Sequence, residues 1–428
     1  MKKSIVENSS AAVEPVISGA PQPTAGNSTF VAMRHRNYQL YFGGQLISNI
    51  GTWMQVIAQA WVVYQIAHSE LALGLVAFAS AIPTLIISPW GGVIVDRVSR
   101  RKLLMLTQSG AMLLAFILAA LTFTKIVQEW HVIVLAALLG VVNAFDAPAR
   151  QAIVPELVGK QDLPNAIALN SMMFNSARVI GPAIAGLMLA AIGAAWCFTL
   201  NGISFLAVIV GLWLMELPPH RGATQTNSPR QQLVGGLQYV ARNREISALI
   251  LLSLVFSIFG ISYSTVLPAF VEKNLHQGAA VYGWLNAATG FGAVTGAFLL
   301  ANHRSSHGRR GQLLVITNLA FPLILIGFSF TALYPLSLLL AFGLGTGFMV
   351  QFTTINTLLQ TRVEDAFRGR VMGLYTLTFF GFAPFGNLLI GFLGEKLGLS
   401  IAMTLFAVCS LILSRLVLVK TPEIQKLP

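Results

Sequence analysis

Long apolar runs, separated by short polar segments, dominate the pattern of this 428-residue chain. A helix that crosses a bilayer needs about 20 mostly apolar residues. Twelve stretches meet that requirement, with approximate limits 38–66, 71–95, 103–124, 131–152, 163–192, 195–216, 246–271, 280–302, 312–332, 336–361, 370–394 and 400–419. Backbone in lipid must satisfy its own hydrogen bonds, and these runs are too long and continuous for barrel strands. The pattern therefore predicts an all-α membrane protein with twelve transmembrane helices.

The basic residues are divided unequally between the two ends of these helices. An even number of spans places both termini on one side, together with the loops that follow the even-numbered spans. That side holds 23 of the 27 Lys and Arg residues; Lys125, Lys273 and Lys396 lie opposite, and Arg178 lies within a span. Loops rich in Lys and Arg stay in the cytoplasm. We therefore expect a multi-pass protein of the cytoplasmic (inner) membrane with both termini cytoplasmic.

Composition supports this interpretation and removes others. Hydrophobic residues make up 55% of the chain and charged residues 10%, with a mean hydropathy of +0.72, whereas soluble domains carry about 25% charged residues. The net charge of +12 is explained by the cytoplasmic loops, so no nucleic-acid partner is expected. The sequence shows no Ser-His-Asp set, metal-ligand cluster or phosphate-binding loop. We expect no enzyme activity, catalytic residue, metal or cofactor, and the partners to be the bilayer, a small-molecule solute and protons.

The chain divides into two similar halves around its longest cytoplasmic loop. The predicted units are a disordered cytoplasmic tail (1–33), an N-terminal six-helix bundle (34–216), a cytoplasmic linker (217–244), a C-terminal six-helix bundle (245–420) and a cytoplasmic tail (421–428). Residues 163–186 align without gaps on 368–391, which places Gly181 on Gly386 and Gly186 on Gly391, and Gly74 corresponds to Gly283. Two similar halves related by an axis along the membrane normal are typical of transporters. We expect the protein to be a monomer.

Three motifs resemble a known family. The stretch after span 2, GVIVDRVSRRK at 92–102, resembles the helix 2–3 loop signature G-x-x-x-D-R-x-G-R-R/K of the major facilitator superfamily, with Ser99 in place of the usual Gly. The stretch GPAIAG at 181–186 is similar to the Gly-Pro motif of its antiporters and exporters. FDAPARQ at 145–151 and NSARVIGP at 175–182 resemble the subgroup that contains the bacterial enterobactin exporter and macrolide-type drug exporters. The resemblance implies two pseudo-symmetric six-helix bundles around a central cavity.

The resemblance also implies a cytoplasmic latch that holds the two halves together when the cavity opens outward. Its expected members are Gly92, Asp96, Arg97, Arg100, Arg101 and Asp146. Asp96 is expected near the positive N-terminal end of span 11 (370–394), and Asp146 is expected to meet Arg97 or Arg101. Two alternatives for Asp146 remain open: it could carry a proton, or it could be purely structural.

Arg178 is the residue that most strongly indicates function. It lies about 22 Å along span 5 at 1.5 Å per residue, past the middle of a core about 30 Å thick. Ser171, Asn175 and Pro182 share its helical face. A charge at this depth must face a cavity or a partner, so we expect Arg178 to attract an anionic or electron-rich group of a substrate. The alternative is a structural Arg bonded to a neighbouring helix.

Polar and small residues mark further positions on the helices. Span 1 carries a one-sided polar stripe composed of Gln45, Ser48, Asn49, Thr52, Gln55 and Gln59. Such a stripe lines a cavity or bonds across helices, and we expect Gln45, Asn49, Thr52 and Gln59 to line the substrate cavity. A helix-packing motif is expected at Gly181, Pro182, Gly186, Gly386 and Gly391, since small residues let helices approach closely and proline bends a helix.

These features lead to one functional hypothesis with alternatives. The hypothesis is a secondary active transporter, a proton-coupled exporter of a medium-sized amphipathic solute such as a siderophore or drug, that works by alternating access. Import or lysolipid flipping by the same fold is an alternative, and so is a transport-silent membrane sensor. The sequence alone leaves the solute unnamed, because function depends on cavity side chains rather than on fold.

Overall fold

A computed structural model describes residues 30–216, 229–302 and 310–427, and within these ranges the chain is helical with no strand. The helices are α1 (Arg36–Ala67), α2 (Glu70–Arg97), α3 (Arg100–Phe123), α4 (Glu129–Ala191), α5 (Ala194–Leu214), α6 (Pro229–Arg242), α7 (Arg244–Val255), α8 (Leu267–Lys273), α9 (Ala279–Asn302), α10 (Arg310–Phe330), α11 (Tyr334–Arg362), α12 (Asp365–Leu397) and α13 (Leu399–Lys420). The predicted disordered tail lies almost entirely outside the described residues.

The helices account for the twelve predicted crossings. In the described ranges, nine helical segments are long and apolar enough to cross a membrane. One of these is α4, which contains two crossings. α1 and α9 complete the set with 32 and 24 residues. The all-α prediction and the twelve-helix architecture are confirmed.

Spans 4 and 5 are two helices that meet at Gly159, and α4 comprises both. α4 has 63 residues, which at 1.5 Å per residue would extend about 95 Å, three times the thickness of a bilayer core. The backbone at Gly159 has φ 71° and ψ 178°, a combination that is essentially restricted to glycine. This residue therefore separates the two crossings within α4.

The seventh crossing changes helix type at its middle. It begins as α7, passes through a π-helical turn at Phe256–Gly260 and a 3-10 segment at Ile261–Val266, and ends as α8. The hydroxyl of Ser257 donates to the carbonyl oxygen of Phe379 on α12, which ties the π turn to a neighbouring helix. Irregular turns of this kind in a membrane helix are tolerated where they are buried in protein or line a cavity.

Two pairs of glycines bring the halves together. α4 packs against α9, and α2 packs against α12. At the first crossing a Cβ at Gly186 would lie 2.7 Å from the Cα of Gly283, and at the second a Cβ at Gly391 would lie 3.3 Å from the Cα of Gly74. In the sequence repeat Gly186 corresponds to Gly391, and Gly74 to Gly283. The two interfaces between the halves are therefore related by the same pseudo-symmetry as the repeat.

Part of the predicted linker is helical. Residues 217–228 lie outside the described residues, and α6 follows them. Tyr239 of α6 stacks on Phe367 of α12 with ring centroids 4.5 Å apart, and Gly236 lies against Arg370. At the end of the chain, a 3-10 turn at Pro422–Lys426 packs on the start of α10, where the amide of Gly311 donates to the carbonyl of Leu427.

Candidate functional site

The two halves are bonded to each other at the end of the molecule opposite the termini, which we call the far side. The ammonium of Lys273, at the end of α8, donates to a carboxylate oxygen of Glu70, at the start of α2, over 2.7 Å. The Glu70 side chain is 2% exposed and that of Lys273 is 50% exposed. This ion pair joins the N-terminal half to the C-terminal half beside the close approach of α2 and α12.

Neighbouring polar residues extend this far-side contact. The Gln65 amide at the end of α1 donates to the carboxylate of Glu272. The hydroxyl of Ser69 and the amide of Leu71 donate to Glu395 on α12, while Trp61 stacks on Tyr282 with centroids 5.8 Å apart. The far side is thus closed by residues from both halves.

The end that carries the termini, which we call the termini side, has no such bond between described residues of the two halves. Between pairs of described residues, every hydrogen bond or ion pair that joins the halves belongs to the far side. Along the second crossing of α4, Ser171 is exposed, whereas Asn175 and Arg178 are half-buried. Along this face of α4, exposure therefore decreases from Ser171 to Arg178.

Aromatic side chains from both halves surround the guanidinium of Arg178. Its Cζ lies 4.6 Å from the ring centroid of Phe348 on α11 and 5.8 Å from that of Trp53 on α1. Tyr263, in the 3-10 segment of the seventh crossing, is a further neighbour and is 5% exposed. Contacts of a cation with ring faces are favourable and strengthen when water is excluded. Arg178 is therefore held at the junction of the halves by rings.

The other two residues predicted on this face of α4 keep their polar groups available. The Ser171 hydroxyl donates to the carbonyl of Ile167, and the Asn175 amide donates to the carbonyl of Ser171. Both bonds lie within the same helix, so neither of them ties its side chain to another helix. Pro182 is buried, and its carbonyl oxygen lies against Gly283.

The polar stripe of α1 lies largely inside the N-terminal half. Thr52 and Gln59 line a cavity of about 60 Å³ between α1, α3, α4 and α5, which has room for a few water molecules. Gln55 accepts a bond from Asn201 of α5 over 2.7 Å, whereas Asn49 is buried. The Gln55–Asn201 bond is a contact across helices. The small cavity lies within one half, so lining of the substrate cavity by Gln45, Asn49, Thr52 and Gln59 stays a prediction.

Asp146 lies at one end of this small cavity in a hydrogen-bonded network. Its carboxylate accepts from the hydroxyl of Thr107 and the amide of Gln108, each over 2.7 Å, and pairs with Arg150 one turn later on α4. Arg150 in turn donates to Gln45 on α1 over 2.7 Å. The expected pairing of Asp146 with Arg97 or Arg101 is replaced by this network, because Asp146 is 3% exposed and lies inside the bundle.

The remaining latch residues lie at the termini side. Arg100, at the start of α3, pairs with Glu156 of α4, and Arg101 donates to the carbonyl of Trp213. Arg97 is exposed at the end of α2, while the predictions for Gly92 and Asp96 concern side-chain positions outside the described residues. The Arg100 and Arg101 bonds lie within the N-terminal half.

Two of the glycines predicted to pack helices make contacts inside their own halves. A Cβ at Gly181 would lie 2.6 Å from the Cβ of Trp53, which explains how α4 and α1 bring Arg178 and the indole ring together. Gly386 takes the equivalent place in the C-terminal half, against the backbone of Ile258.

Sequence reasoning missed three elements of the site. Phe348 contacts Arg178 across more than 160 residues of chain, and no local pattern announces such a contact. The Glu70–Lys273 pair also joins distant positions. The sequence gives one signal for it, because Glu70 is a carboxylate at a helix start and Lys273 is one of three lysines predicted on the far side. The Asp146–Arg150 pair was readable as an i,i+4 spacing.

Comparison with known proteins places these features in a family context. Residues 27–427 match the family described as transmembrane secretion effector. The staphyloferrin A transporter of Staphylococcus aureus is 27% identical over 365 residues, covering 84% of this chain and 90% of that protein. The multidrug efflux pump Tap of Mycolicibacterium fortuitum is 27% identical (87% and 94% covered), and the enterobactin exporter EntS of Escherichia coli is 27% identical (85% and 86% covered).

Solved structures agree on the fold. The nucleoside transporter NupG superimposes with a TM-score of 0.71 at 13% identity, covering 90% of this chain and 98% of that one. A bacterial homologue of the lysosomal transporter Spinster superimposes with a TM-score of 0.67 at 14% identity, covering 92% and 97%.

Proposed function

Because the chain belongs to the major facilitator superfamily, and within it to the transmembrane secretion effectors, we propose that it exports a medium-sized amphipathic solute in exchange for protons. Its relatives are transporters rather than enzymes. Relatives named for siderophores and for drugs support a solute of that size range. The protein is proposed to act as a monomer.

One observation carries this proposal: the polar bonds between described residues of the two halves are confined to the far side. On the other side, exposure along one face of α4 decreases from Ser171 to Arg178. The excess of Lys and Arg supports a cytoplasmic position for the termini side. In that orientation the structure corresponds to a state that loads solute from the cytoplasm. Opening the far side and closing the termini side completes alternating access.

In the proposed cycle, Ser171, Asn175 and Arg178 receive the solute. The Glu70–Lys273 pair and its neighbours must break for release. The helix-end cluster of Arg97, Arg100 and Arg101, with Gly92 and Asp96, is proposed to close the termini side. The four packing glycines and Pro182 let α4 and α12 move against their neighbours without side-chain clashes.

Transport into inside-out proteoliposomes tests this proposal. We expect accumulation of a siderophore or macrolide under a pH gradient that is acidic inside, and loss of accumulation when the gradient is collapsed. The Arg178→Gln variant should insert normally and lose accumulation, while Arg415→Gln, an exposed arginine on α13, should behave as wild type. Accumulation only in right-side-out vesicles would indicate import, movement of lysolipid alone would indicate flipping, and no movement of any solute would indicate a sensor. Each of these results would refute export.

A further inference from the structure

Among the described residues, the guanidinium of Arg178 has no carboxylate partner. An arginine stays protonated at any physiological pH, and a charge at the middle of a membrane is costly unless it is paired or faces water. Asp146, the other charged residue buried inside a span of the N-terminal half, is paired with Arg150. Arg178 is therefore available to pair with a negative charge that a solute brings to it.

The rings around Arg178 restrict the shape of what can supply that charge. Phe348 and Trp53 lie against the guanidinium from different halves, and ring faces attract a cation without neutralising it. The guanidinium edge still offers several donors in one plane, which suits an acidic group that binds through two parallel hydrogen bonds. Ser171 and Asn175, below Arg178 on the same face, offer neutral polar contacts.

An aromatic wall continues from Phe348 along the C-terminal half. The Phe348 ring stacks on the Phe352 ring with centroids 6.1 Å apart and an interplanar angle of 8°. The ring centroid of Phe352 lies 6.3 Å from that of Phe380, and Phe380 is 59% exposed. Flat rings pack well on such a surface in offset or edge-on arrangements. The cation therefore stands at one end of an apolar, ring-lined surface.

From this arrangement we infer that the solute is an amphipathic organic anion with a flat aromatic body. Its acidic group binds Arg178, and its ring lies on the wall formed by Phe348, Phe352 and Phe380. This inference rests on the proposed function and names the chemical class that the same site takes. It also has an electrical consequence: export of an anion moves negative charge outward, so an inside-negative membrane potential accelerates it.

Calorimetric titration of the purified full-length protein with three probes tests the inference. The probes are naphthalene-1-sulfonate (aromatic anion), naphthalene-1-sulfonamide (aromatic, neutral) and cyclohexanesulfonate (anion, not aromatic). We expect the aromatic anion to bind about 10-fold to 100-fold more tightly than the neutral probe, which is the range for one hydrogen bond to a charged group. The non-aromatic anion should also bind about 10-fold more weakly. This comparison uses the unmodified protein and does not depend on a variant that folds.

Variants then assign the two preferences to residues. Arg178→Gln should bind both naphthalene probes equally, Arg178→Lys should keep part of the preference for the anion, and Phe348→Leu should lose the preference for the aromatic anion over cyclohexanesulfonate. Arg415→Gln should match wild type. Equal binding of sulfonate and sulfonamide by wild type overturns the inference, and so does a charge preference that survives in Arg178→Gln. Binding of none of the probes, with export of a solute established in vesicles, overturns it while the proposed function stands.

Discussion

Removal of Lys273 should open the far side. In Lys273→Ala, the carboxylate of Glu70 remains at a position where its side chain is 2% exposed and loses its cationic partner. A hydrogen bond between charged groups contributes about 1.5–3 kcal/mol, and half of the Lys273 side chain is solvent-exposed, which favours the lower part of that range. Since about 1.4 kcal/mol is a tenfold change in an equilibrium, we expect the ratio of closed to open far side to fall about tenfold.

Spin-label distance measurements can detect this shift. Labels at Trp130 and Leu333, which are exposed at the far side of the two halves, should report a longer distance in Lys273→Ala, after Cys197 and Cys409 are replaced by alanine. The double variant Glu70→Gln/Lys273→Ala should return towards the closed distance, because a neutral amide tolerates burial better than an unpaired carboxylate.

A matched control uses an ion pair within one helix. Arg368 pairs with Asp365 three residues earlier on α12, at the termini side, so Arg368→Ala should leave the far-side distance unchanged. An unchanged distance distribution in Lys273→Ala, with the control also unchanged, would show that the Glu70–Lys273 pair does not hold the far side closed.

Three further variants test packing and burial by thermal unfolding in detergent. Gly186→Ala should destabilise by about 1–3 kcal/mol, because its Cβ would meet backbone of α9, whereas Gly43→Ala, with open space around it, should be neutral or stabilising; equal effects would contradict the close approach. Asp146→Ala should cost about 3–5 kcal/mol as a broken buried ion pair, and a loss below 1 kcal/mol would contradict its burial. Gly159→Ala should cost about 1–3 kcal/mol through backbone strain, which an unchanged unfolding temperature would refute.

The crossings of this protein were predictable because lipid imposes a length and a polarity on each of them. The polar stretch between spans 4 and 5 located the break at Gly159 within a few residues. The π turn at Phe256–Gly260 was not predictable, since its apolar sequence also suits a regular helix. The hydropathy of the linker did not predict α6, because this helix is stabilised by packing on α12 rather than by apolar length.

The sequence predicts how far along span 5 Arg178 lies, but not which residues contact it. Counting residues along span 5 placed Arg178 in the interior, and the depth of a charge limits what it can face. Phe348 and Tyr263 approach it through tertiary packing of other helices, which no local spacing encodes. Asp146 is the opposite case. Its partner Arg150 is one helical turn away, whereas the motif resemblance predicted Arg97 or Arg101 as the partner.

α1 takes part in all three levels of the molecule. Gln45 accepts a bond from Arg150 near the termini side, Trp53 lies against Arg178, and Gln65 donates to Glu272 at the far side. Twenty helical residues separate Gln45 from Gln65, a rise of about 30 Å that matches the thickness of the hydrocarbon core. A rigid rod of this length acts as a lever. A tilt of α1 that separates Gln65 from Glu272 also displaces the Trp53 indole ring, which lies against Arg178. The same tilt strains the contact of Gln45 with Arg150. A single motion of α1 is therefore transmitted across the whole membrane.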